Sequence, residues 1–87
     1  MTYYGVGIDT AWLYSIIGTP KEKEFGERVQ KFSGLVGTAD KVFGRYTVLL
    51  FNRRIEAECA RIRLYHEGID VYGLIVKAEG GVLKNDG

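Results

Sequence analysis

The stretch from Arg45 to Ala78, RYTVLLFNRRIEAECARIRLYHEGIDVYGLIVKA, restricts the fold more than any other part of the chain. It reads as strand, helix, strand. YTVLLF is a β-branched and aromatic run with room for one strand. Asn52 is placed to cap the following helix by accepting a first-turn N–H. In that helix Ile55, Cys59 and Ile62 fall on one line, with Ala57, Ala60 and Leu64 beside it. Gly68 stands where a helix ends in a left-handed residue, and Ile69 can fold back on the last turn. DVYGLIVKA is expected to be the next strand.

The rest of the chain supplies fewer signals. TYYGVGID and AWLYSIIGT read as two strands joined near Asp9-Thr10. Gly5 and Gly7 leave one face of the first strand without side chains, and an aromatic neighbour, Trp12 or a tyrosine, is the expected cover. Thr19-Pro20-Lys21-Glu22 combines a cap, a first-position proline and a capping-box glutamate. The helix it starts should run to about Ser33 and bury Phe25, Val29 and Phe32. Residues 38–44 are the expected edge strand. Gly80-Gly81 should end the last strand, leaving residues 79–87 as a mobile tail of a single domain spanning 1–87.

FNRRIEAECARIRLYHEGIDVYGLIV resembles the strand–helix–strand core of the PII-like signal-transducing family. Phe51 ends the strand, Glu56 and Ala57 open the helix, Ala60, Arg61 and Leu64 form its middle, and Gly68, Ile69 and Val71 make the turn into the next strand. The resemblance covers about a third of the chain. It implies a ferredoxin-like or PII-like shape and a regulatory binding role, and it brings no catalytic residues.

The element order β-β-α-β-β-α-β reduces, without its first strand, to βαββαβ. The expected class is therefore α+β: a ferredoxin-like sandwich with an extra N-terminal strand and two helices on one face of an antiparallel sheet. Strands 46–51 and 71–76 are apolar on both faces. Two helices cover one face only, so a second copy of the chain is the expected cover for the other, in a homodimer or a higher closed oligomer.

Composition excludes several functions. The chain has 87 residues, a net charge of +1 and a single cysteine. Near-neutral charge argues against nucleic acid as partner. No run is long enough to span a bilayer and no signal peptide is evident, so a cytoplasmic protein without membrane contact is expected. Cys59 excludes an internal disulfide and reads as a buried, inert thiol. One histidine and scattered carboxylates offer no metal-ligand spacing, and no cofactor is expected. His66, in the last turn of its helix, suits the negative end of the helix dipole better than catalysis. No nucleophile–base pair stands out, so the expectation is a protein without enzymatic activity.

One local feature points to a ligand. Arg53 and Arg54 open a helix directly after a strand, where free N–H groups already favour an anion. With Asn52 beside them, and Asp9 and Trp12 brought alongside by antiparallel pairing, they would clamp a base and its phosphate. The sequence thus favours a small regulatory protein binding a nucleotide or other small anionic ligand as a homo-oligomer. The alternative is an interaction or inhibitor protein, of the accessory or phage-encoded kind, working on another protein through an aromatic sheet face.

Overall fold

The computed structural model describes residues 1–86. Along the chain lie β1 (Thr2–Asp9), α1 (Thr10–Ile16), α2 (Pro20–Gln30), β2 (Leu35–Thr38), β3 (Tyr46–Phe51), α3 (Arg54–His66), β4 (Val76–Glu79) and β5 (Val82–Asn85). The class is α+β: five strands form one sheet in the order β2-β3-β1-β4-β5, and every neighbouring pair is antiparallel. β1 is central. It pairs Tyr4 to Asp9 with Phe51 to Tyr46 on one side, and Thr2 to Gly5 with Glu79 to Val76 on the other.

The second expected strand is a helix. Asp9 ends β1 and caps α1, its Oδ1 accepting from the Trp12 N–H at 3.0 Å. The inward residues are Trp12, Leu13 and Ile16, while Tyr14 and Ile17 are exposed. That spacing is helical, although the same letters also fit a period of two. The extra strand therefore stands at the other end of the chain. Residues 82–85, expected in a mobile tail, pair with β4 as β5 across the Gly80-Gly81 turn, where both glycines have positive φ. Gly87 lies outside the described residues.

Other boundaries move for local reasons. Pro20 opens α2 behind Thr19, but Thr19 Oγ1 donates to the Ile16 carbonyl at 2.6 Å instead of capping. Glu22 accepts from Gly18 N at 3.1 Å, one residue ahead of the expected box. The edge strand is residues 35–38, not 38–44. Residues 43–46 instead close a tight hairpin, with Gly44 at φ 60° and paired Phe43–Tyr46 backbone bonds of 2.8 and 3.0 Å. β4 begins only at Val76. Before it, Val71 makes one bridge to Ile8, and Tyr72 N donates to Gly7 O at 2.8 Å.

The core lies between the sheet and the helices. Val6, Ile8, Leu49 and Phe51 meet Val29, Ala57, Ala60 and Leu64 there. Phe25 and Phe32 pack on this core from α2 and its C-terminal end. α3 follows β3 and leads into β4, crossing β1 on this face. Its alanines bring it close to the strands.

The opposite face closes by another means. A Cβ on Gly5 would overlap Val48 Cγ1 and lie 3.5 Å from Val76 Cβ. Both valines are fully buried although no helix covers them. A Cβ on Gly7 would meet Tyr46 Cβ at 2.9 Å and Tyr72 Cβ at 3.0 Å. The two tyrosine rings lie 5.0 Å apart, and Phe43 is 5.7 Å from Tyr72. The expected aromatic cover is thus a tyrosine pair over Gly7, while two valines fill the space over Gly5 and Trp12 has no part in either. Tyr3, Leu50 and Leu83 share this face by strand register, each half-buried.

Glycine substitutions separate these packing roles. Gly5→Ala should cost about 1–3 kcal/mol by overpacking. Gly26→Ala, inside α2 with open space around it, should gain about 0.5–1 kcal/mol. Gly68→Ala, at φ +81°, should cost about 1 kcal/mol. Urea unfolding of the three variants measures this. A Gly5→Ala protein as stable as the parent would contradict the packing over β1.

Candidate functional site

The five residues expected to hold a ligand do not converge. β1 and β3 pair Asp9 with Tyr46 and Tyr4 with Phe51. Asp9 and the turn that follows Phe51 therefore sit at opposite ends of the sheet, roughly 17 Å apart at 3.4 Å per residue. The expectation that Trp12 lies beside Arg53 depended on residues 12–17 being a strand, and they are helical.

Each of the five has a structural task. Asp9 caps α1 with one oxygen and meets Arg45 Nε at 3.0 Å with the other. Arg45 also reaches Asp70 at 3.2 Å and lies 5.3 Å from the Tyr46 ring centre. Tyr46 first, and then Asp9 and Asp70, hold the Arg45 pKa above its ordinary value. Trp12 stands edge-on to Phe25 at 5.2 Å and leans on the core. The depression beside it measures about 180 Å³, small for a nucleotide.

At the other end, Asn52 gives its backbone N–H to Gly34 O at 3.0 Å, and Arg53 replaces it as the capping residue of α3. Glu56 turns back to accept from Arg53 N at 3.0 Å and from the Arg53 guanidinium at 3.3 Å. Arg54 pairs with Glu58 at 3.4 Å and with the Asp86 carboxylate, tying the end of β5 to the start of α3. Both arginines thus spend charge on carboxylates of their own chain.

A different surface is open. α2 leans on α1, and a groove of about 880 Å³ runs along α3 beside the C-terminal end of α2. Phe32 and Ala60 lie in it. Ile55, Cys59, Ile62 and His66 follow one another along it at helical spacing, roughly 16 Å from first to last. Ile55 is 57% exposed and Ile62 47%. Cys59, expected to be a buried thiol, is exposed on this line. Ala57, Ala60 and Leu64 are the buried line.

The charges around the groove do not balance. Glu56 is held by Arg53, and Glu67 by Arg28 at 2.5 Å. Lys31 and Arg63 also line the groove, and among the described residues neither makes an ion pair. Two cations are therefore left facing a strip of exposed isoleucine.

Cys59 and His66 share the groove but stand seven positions apart, roughly 10 Å along the axis, beyond reach of a direct proton transfer. Among the described residues no group of three or more His, Cys, Asp or Glu side chains could hold a metal ion. No helix among them is long and apolar enough to cross a membrane.

The sequence did carry a trace of this groove. α3 has two apolar lines, one of alanines and leucine and one of isoleucines and cysteine, and a helix lying on a single sheet face buries only one. Small residues mark the line that approaches the strands. In comparisons with protein-family models, with curated proteins and with solved structures, nothing matches the chain.

Proposed function

We propose that this is a non-catalytic binding protein whose working surface is the groove along α3. Its ligand is apolar along its length and anionic at its margin. The observation that carries this reading is the pairing of exposed Ile55 and Ile62 with two cations, Lys31 and Arg63, that have no carboxylate partner among the described residues. Exposed isoleucines cost free energy in water, and a ligand that covers them recovers about 25 cal/mol for each Å² buried. The cations select the sign of the ligand's charge. An anionic ligand is thus proposed again in this form, and of the five residues first expected to hold it Arg53 lines the groove.

The scaffold is read as ferredoxin-like, with α1 and β5 as additions. In support, β1 and β2 run parallel with β3 between them, and β3 and β4 run parallel with β1 between them. Each pair is joined through the helical layer, as in two interlocked split βαβ units. The regulatory role implied by the PII-like resemblance is compatible with a binding groove on such a scaffold.

Anilinonaphthalene sulfonate, an apolar aromatic anion, tests the groove directly. It should bind the folded protein saturably and shield Cys59 from thiol reagents. Ile62→Glu should weaken it about tenfold, or 1.4 kcal/mol, with little change in melting temperature. Equal binding to parent and variant, or none to either, would remove the groove as the working surface.

A second reading is self-association through the open sheet face. The half-buried Tyr3, Leu50 and Leu83, on the same sheet face as the tyrosine cluster, favour it. A sheet-to-sheet dimer would cover these residues. Sedimentation equilibrium at low micromolar concentration should then show a dimer that Leu50→Glu dissociates. A clean monomer of 9.8 kDa ends this reading.

A further inference from the structure

The shape and charge of the groove narrow what fills it. It is a trough open along one side, whereas small-molecule sites enclose most of their ligand. Its exposed apolar positions, Ile55, Cys59 and Ile62, repeat at i, i+4 and i+7, the spacing by which one helix meets another. The helical layer is open at this place: α2 packs on α1, and Ile55, Cys59 and Ile62 of α3 are exposed.

We propose that the groove receives an acidic amphipathic helix from a partner protein, which lies along α3 and completes the helical layer. This rests on the groove being the working surface. The geometry is helix-in-groove recognition, in which apolar side chains at i, i+3 or i+4, and i+7 act as anchors. Charge fixes the sign. Glu56 and Glu67 are already paired with Arg53 and Arg28, so the field left at the groove comes from Lys31 and Arg63. A partner helix with Asp or Glu beside its apolar line meets both cations, and a basic helix is repelled. A second copy of the chain fits poorly. An isologous contact along α3 would double the unpaired cations, and α2, the other long helix, offsets Glu22, Glu24 and Glu27 with Lys21, Lys23 and Arg28 and so brings no net acidic charge.

Display selection tests the occupant. A library of randomised peptides about fifteen residues long is selected against the folded chain and counter-selected against Ile62→Glu. The recovered peptides should carry apolar residues at i, i+3 or i+4, and i+7 flanked by Asp or Glu. They should become helical on binding and protect Cys59. Lys31→Glu with Arg63→Glu should weaken them at least tenfold, and exchanging the peptide acids for lysines should restore binding to that double variant.

Recovery of no binder, of extended or basic sequences, or of acidic helices that bind Ile62→Glu equally well would overturn the inference. A dimer abolished by Ile62→Glu would do so as well, by assigning the groove to a second copy. If the apolar dye binds the groove while the selection fails, only the helical occupant falls. If the dye fails too, the groove itself is not a binding surface.

Discussion

The structure depends on the absence of side chains on one face of β1. Gly5 and Gly7 sit in the central strand, between β3 and β4. Their missing Cβ atoms let Val48 and Val76 approach each other over Gly5, and Tyr46 and Tyr72 over Gly7. A sheet of this kind normally needs a second layer on each apolar face. Here the neighbouring strands lean inward and close much of the face with their own side chains. An 87-residue chain can therefore place α1, α2 and α3 on one side.

The functional surface follows from that division. With the helix-free face largely closed, Ile55 and Ile62 along α3 stand exposed beside Lys31 and Arg63, which make no ion pair among the described residues. Ala57 and Ala60 set α3 close to the strands, and this closeness turns Ile55, Cys59 and Ile62 outward. Phe32, at the end of α2, provides the apolar wall opposite. Ion pairs at the two ends of the sheet have a fastening role. Arg45 joins Asp9 to Asp70 across β1 and the segment after α3, and Arg54 joins the start of α3 to the end of β5.

Most of the scaffold was legible in the sequence, because its signals were local. YTVLLF, the α3 helix and the Gly68 turn are short-range patterns, and they fall where the residues place them. The failures came from tertiary choices. AWLYSII fits a period of two as well as a helix, and the Asp9 cap decided for the helix. The C-terminal residues looked free because VLKN is a weak strand that exists only by pairing with β4. The site was least legible. Arg53 and Arg54 suggested an anion site, but the carboxylates that occupy them, Glu56, Glu58 and Asp86, become neighbours through the helix and the sheet edge. Which of two apolar lines on α3 faces the strands cannot be read from periodicity, since both have the helical period.

One distribution of exposure underlies both the fold and the groove: Val48 and Val76 sealed on the face without helices, Ile55 and Ile62 open on the face that has them. Methyl NMR with a soluble paramagnetic relaxation agent measures both at once. The Ile55 and Ile62 methyls should broaden strongly and those of Val48 and Val76 little. Broadened valine methyls with protected isoleucines would contradict this distribution, and would return the binding surface to the open face of the sheet.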